Sequence, residues 1–162
     1  MLLALSGCSP SLDWREVRPQ DSAVVAMFPC RPASHARDVQ LAGAKVRLTL
    51  HACTAGDITW ALAFGELADP ARVGPALLEL RESAAANLQA AAPQVLPLKV
   101  EGATPNEHMA RLSLQGRLPD GRPVQEQLAV FAKGLRVYQA TAVGARLPAE
   151  GLEVFFGGLK AP

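Results

Sequence analysis

The spacing of apolar positions along this chain switches between two, the period of a strand, and about 3.6, the period of a helix. Residues 23–28 are an unbroken apolar run stopped by Pro29, which predicts a buried first strand. Val39 and Leu41 mark a weaker strand over 37–41, and Ala42-Gly43-Ala44 turns it. Over 45–53 the alternation is regular: Val46, Leu48 and Leu50 point one way, Lys45, Arg47, Thr49 and His51 the other. That pattern predicts a sheet with one wet face. Thr54-Ala55-Gly56-Asp57 is turn chemistry, and Ile58, Trp60, Leu62 and Phe64 form the next apolar row. Four strands joined by short turns predict an antiparallel meander.

The period then lengthens. Asp69 is a suitable N-cap and Pro70 suits the first helical position. Val73, Leu77, Leu80, Ala84 and Leu88 recur at spacings of three and four, predicting an amphipathic helix that ends near Ala92, before Pro93. It should cover the apolar face of the sheet. The second half repeats the plan. Leu96, Leu98 and Val100 suggest a strand, and Ala110, Leu112 and Leu114 alternate with Arg111, Ser113 and Gln115. Pro119-Asp120-Gly121 is a hairpin turn, followed by strands over 124–132 and 135–143. Pro148 opens a short helix with Leu152, Phe155, Phe156 and Leu159 on its apolar side. The predicted class is α+β: an antiparallel sheet built from two meanders, packed against one long and one short C-terminal helix. No linker divides residues 21–162, which read as one domain.

The order meander, long helix, second meander and short terminal helix resembles the PsbP-like α/β sandwich, including DcrB-like bacterial lipoproteins. The matching residues are Phe28-Pro29, Asp69-Pro70, Gly134-Leu135-Arg136-Val137-Tyr138 and Phe155-Phe156-Gly157-Gly158-Leu159. The likeness spans residues 23–159. It implies a sheet with helices against it, in a family whose known members dock onto other proteins and share no catalytic motif.

The beginning of the chain concerns location. Leu5-Ser6-Gly7-Cys8 resembles a bacterial lipobox, an aliphatic residue and two small ones before a cysteine. In such proteins the Cys8 thiol takes a diacylglyceryl group, and cleavage leaves it as an acylated N-terminus. Residues 1–7 then read as a partial signal peptide and 8–20 as a lipidated tether. A full signal carries a basic stretch and ~7–15 apolar residues, so a start upstream of Met1 is expected. The plainer reading is a short apolar N-terminus with a chance cysteine. Ser9 rather than Asp follows Cys8, which by the same resemblance implies the outer membrane. No apolar run reaches the ~18 residues of a membrane span, so attachment is expected through lipid alone. Within the tether, Trp14 either folds back on the domain or sits at the membrane interface.

Composition narrows the rest. Apolar residues are 49% of the chain, enough for a packed core. A net charge of +1 and 5% aromatics give no case for nucleic acid. With Cys8 acylated, Cys30 and Cys53 remain, and in an oxidising periplasm such a pair forms a structural disulfide; free buried thiols are the alternative. His35, His51 and His108 lack metal-ligand spacing, and no cofactor motif is present. His51 lies two residues from Cys53 on one strand face, so a Cys/His nucleophile pair competes with a disulfide beside a solvent-facing histidine. Glu79 and Glu82 share a helix face and read as solvated surface. Arg111, Arg117, Arg122 and Arg136 are candidates for an anion-facing stripe on the second meander, against a plain reading as charged sheet surface. The expected role is a non-catalytic envelope accessory that binds a protein. The rival is a small-molecule or lipid carrier with a pocket between helix and sheet.

Overall fold

A pair of left-handed residues, Ala42 (φ 49°) and Gly43 (φ 73°), folds the chain back between two long strands, β3 (Ala33–Leu41) and β4 (Ala44–Ala55). A second such pair, Gly56 (φ 60°) and Asp57 (φ 59°), connects β4 to β5 (Ile58–Glu66). Two-residue turns with positive φ match the right-handed twist of the strands they join. The computed structural model describes residues 12–162; Cys8 and the lipobox lie outside the described residues. The fold is α+β. Its main sheet has seven strands in the order β3-β4-β5-β9-β8-β7-β6, and every neighbouring pair is antiparallel. The later strands are β6 (Gln94–Leu96), β7 (Ala110–Arg117), β8 (Pro123–Lys133) and β9 (Arg136–Gly144). The helices are α1 (Val73–Asn87), entered through a 3-10 turn over Pro70–Arg72, and α2 (Ala149–Gly157). The Asp69 carboxylate accepts from the Ala71 N–H and caps that turn.

The register between β4 and β5 decides the layers. Leu50 lies opposite Ala63 and His51 opposite Leu62. The apolar row of β4 (Val46, Leu48, Leu50) therefore faces one way and the apolar row of β5 (Ile58, Trp60, Leu62, Phe64) the other. Both faces of the central sheet are apolar, and each has its own cover. On one face, Val73, Ala76, Leu77, Ala84 and Leu88 of α1 and its last turn join Val46, Leu112, Leu114, Leu128, Val130 and Val137 in one core. On the other, Phe155 and Phe156 of α2 and Phe28 meet Trp60, Phe131 and Tyr138. Phe155 makes edge contacts with Trp60 at 5.2 Å and with Phe28 at 5.6 Å between ring centroids. The expected single wet face is thus corrected. It describes only the outer strands, where Lys45 and Arg47 stay exposed.

Four element boundaries also differ from expectation, one being β3, which begins at Ala33 rather than at 37. The apolar run 23–28 does not join the main sheet. Ala26–Phe28 (β2) pairs with Arg15–Val17 (β1) as a two-stranded ribbon that helps cover the α2 side. β1 therefore lies inside the segment read as a tether, and Trp14 packs edge-on against Trp60 at 5.4 Å. α1 stops at Asn87, because Gln89 turns left-handed (φ 48°) and the Leu88 carbonyl accepts from Arg117 N–H at 2.9 Å. That contact needs glycine at 116: a Cβ there would sit 2.2 Å from the Leu88 oxygen. The strand predicted at 96–100 is the shorter β6, shifted towards the helix.

Cys30 and Cys53 form a disulfide that ties the segment after β2 to β4. Closing this 23-residue separation stabilises the fold by about 3 kcal/mol in the chain-entropy model. Two polar groups pin the α2 side. The Tyr138 hydroxyl donates to the Ser22 carbonyl at 2.5 Å, and the backbone of Lys160 in the C-terminal tail bridges to Val25.

One buried carboxyl makes stability depend on pH. Glu126 lies on the α1 side of β8, between Leu114 and Val143 on the flanking strands, and is 8% exposed. Burial pushes its pKa up from 4.5 to about 7. In the fold it stays neutral across a range where the unfolded chain ionises. The stability it permits is full below the unfolded pKa and is lost as pH rises through about 7. The loss totals about 3 kcal/mol. Glu126→Gln should therefore raise the urea midpoint at pH 8.5 and leave it nearly unchanged at pH 4. Equal effects at both values would contradict this account.

Candidate functional site: an open cleft beside a free strand edge

β3 ends the main sheet and, among the described residues, has no strand on its outer side. All six residues from Ala33 to Asp38 are exposed, and only Val39 and Leu41 reach the core beneath α1. The direction of its backbone groups follows from the turn. Leu41 and Ala44 flank the Ala42-Gly43 pair and so form a hydrogen-bonded pair, after which bonded and non-bonded pairs alternate. Val39, Arg37, His35 and Ala33 are thereby bonded to β4. Gln40, Asp38, Ala36 and Ser34 turn their N–H and C=O groups outward. Four donors and four acceptors line this edge.

Beside it, on the α1 side, the sheet is not covered. α1 starts over the β3–β4 turn, held there by Glu79, whose carboxylate accepts from Ala42 N–H at 2.7 Å, and by Arg72, which donates to Ala42 O at 2.5 Å. From there it lies over β8 and β9, and the far halves of β3, β4 and β5 stay open. The result is a shallow cleft of about 450 Å³ lined by His35, Arg37, Leu48, Leu50, Ala63, Gln139 and Thr141 among others. Lateral register puts His35, Leu50, Ala63 and Gln139 in one row across four strands. Leu50 is 38% exposed, unusual for a leucine in mid-strand. The floor is apolar, with an amide and a hydroxyl at one side and a guanidinium and an imidazole at the other. These groups suit recognition of an extended chain: backbone bonds from the edge and apolar contact from the floor. A polar depression of about 530 Å³ near Gln89, Gln115 and Arg117 has no comparable apolar floor.

Cys8 lies outside the described residues. Cys53 is oxidised to Cys30, so it has no thiol for His51 to activate. His51 stacks on Phe64 with ring centroids 5.9 Å apart, and burial lowers its pKa, favouring the neutral imidazole. His35 rims the cleft, while the backbone N–H of His108 is bound by Asn106. Glu79, read as solvated surface, holds the β3–β4 turn instead. Among the described residues no three His, Cys, Asp or Glu side chains converge as a metal site would require.

The four arginines do not form one stripe. Arg111 is 7% exposed, donates to Gln127 at 2.8 Å and to Glu153 at 2.9 Å, and lies 4.5 Å over the Phe156 ring. It fastens α2 to β7 and β8. Arg117 and Arg122 are bound within the β7–β8 turn, to Gly121 O and to Asp120. Arg136 pairs with Glu66 at 2.7 Å. Arg117 is opposite Pro123 and Arg136 opposite Lys133, at the two ends of β8, roughly 30 Å apart. Alternation alone could not distinguish a buried arginine with partners from a surface one. The cleft left a fainter signal: β4 carries an apolar row ending at Leu50, while its neighbour β3 carries little apolar pattern with which to share a cover.

No protein-family model matches this chain, and no curated protein sequence matches it.

If the cleft is a recognition surface rather than core, its leucine should be dispensable for folding. Leu50→Glu should change unfolding free energy by no more than about 0.5 kcal/mol, whereas Arg111→Ala should lower it by about 2 kcal/mol. Urea titrations of both variants provide the comparison. A Leu50→Glu protein as unstable as Arg111→Ala would place Leu50 in the core.

Proposed function

We propose that this chain is a lipid-anchored protein of the bacterial outer membrane, acylated at Cys8, whose domain faces the periplasm and binds another protein without catalysing a reaction. Leu5-Ser6-Gly7-Cys8 supports the anchor. The Cys30–Cys53 disulfide supports an oxidising compartment. In this reading β3–β5 and β6–β9 are the two meanders of a PsbP-like sandwich, linked through α1 and finished by α2. The observation that carries the binding role is the nine-residue edge of β3, unpaired among the described residues, beside the cleft at Leu50. Long free edges are costly to leave open, since they pair with any available strand.

The carrier alternative needs an enclosed pocket between helix and sheet. α1 instead packs directly on the strands, with Ala76 and Leu77 fully buried, and the cleft lies beside the helix.

Two measurements on the native gene test the proposal. Cys8→Ser should move the protein from the membrane to the soluble envelope fraction. A photocrosslinking side chain at Leu50 in intact cells should give protein adducts. Membrane attachment that persists in Cys8→Ser sinks the anchor. Lipid as the sole adduct at Leu50 sinks the protein-binding role in favour of the carrier.

A further inference from the structure

We propose that the strand occupying the β3 edge is β3 of a second copy of this chain, antiparallel and centred on Ala36. The proposal rests on the binding-module reading and gives that module its partner.

A two-fold axis perpendicular to the sheet keeps each residue on its own face, so β3 pairs with itself about a single residue. The charges on β3 select that residue. Centring on Arg37 sets two guanidiniums directly opposite, and centring on Asp38 sets two carboxylates opposite; both are unfavourable. Centring on His35 or Val39 shortens the overlap. Centring on Ala36 pairs Ala33 through Val39 with no identical charges facing. It is also an allowed hydrogen-bonding register, because Ala36, Ser34 and Asp38 are the residues whose backbone groups point outward.

The side chains of this register complement one another. Ser34 falls opposite the partner's Asp38. Its hydroxyl can donate to that carboxylate, which Lys45 at 3.3 Å and Arg47 at 3.4 Å already hold ionised. Ala36 at the axis presents only a methyl group. On the α1 side, Arg37 falls opposite the partner's His35, which is itself opposite Leu50. The aliphatic stem of Arg37 then closes the open side of the partner's cleft over Leu50. Of the usual protections of a free edge, β3 carries only charge, at Arg37 and Asp38, which the register centred on Ala36 accommodates. It contains no proline, and its nine-residue register with β4 runs without a bulge.

The full chain carrying Cys8→Ser provides the test. Sedimentation should show the mass doubling as concentration rises. Paired residues of a bonded antiparallel pair have Cα atoms ~5.5 Å apart, within disulfide range, so Ala36→Cys should oxidise to a covalent dimer. Gln40→Cys, four residues from the axis, should not. Ala36→Pro removes an outward N–H without costing β4 a bond, and should leave a folded monomer. A protein that stays monomeric up to its solubility limit overturns the proposal. So does equal crosslinking at Ala36→Cys and Gln40→Cys, which keeps the test decisive even where the proline variant fails to fold. Failure here is separable from failure of the binding role. A monomer in solution that still gives foreign protein adducts at Leu50 in cells would retain the role and reject the second copy as its partner.

Discussion

The pairing of β4 with β5 is the constraint from which the remaining architecture follows. Because His51 meets Leu62 and Leu50 meets Ala63, two adjacent strands present their apolar rows to opposite sides. A sheet that is apolar on both faces cannot rest on one helix. α1 serves one side; α2, the β1–β2 ribbon and the C-terminal tail serve the other. Helix cover is finite, however, and α1 is committed to β8 and β9 by its buried Ala76, Leu77 and Ala84. The far part of β3, β4 and β5 on that side is what remains uncovered. The cleft is a consequence of how fifteen helical residues are shared across seven strands.

Polar contacts refine this arrangement more than they create it. Glu79 and Arg72 grip the two backbone groups of Ala42, which fixes where α1 begins relative to the first hairpin. Arg111 does the corresponding work for α2. The disulfide joins the ribbon side to β4, the inner neighbour of the edge strand β3. Rigid support at β4 and a free edge on β3 suit a surface that adds a strand without reshaping the domain.

Much of this was legible in the pattern of residues. Ile58 to Phe64, Val73 to Leu88 and the Asp69 cap declare a strand, an amphipathic helix and its start, because alternation and capping are local chemistry. The fate of 23–28 was not legible. An apolar run states that it is buried but not which strand it pairs with, and here β1, inside a polar stretch, is the partner. The opposed faces of β4 and β5 depend on the two-residue turn between them, and their separate covers depend on tertiary packing. Arg111 misled for a related reason. A guanidinium in a polar position of an alternating strand looks solvated until Phe156, Gln127 and Glu153, distant in sequence, close around it. The cleft was the least legible feature, since it is defined by where a helix does not reach.

The openness of the β3 edge is the claim on which the binding role depends, and amide hydrogen exchange at high dilution reads it residue by residue. The account predicts an alternation: slow exchange at His35, Arg37 and Val39, whose N–H groups are held by β4, and fast exchange at Ser34, Ala36, Asp38 and Gln40, whose N–H groups face outward. Slow exchange at all seven positions in a dilute monomer would show that the edge is already covered by the chain itself, and would contradict the account.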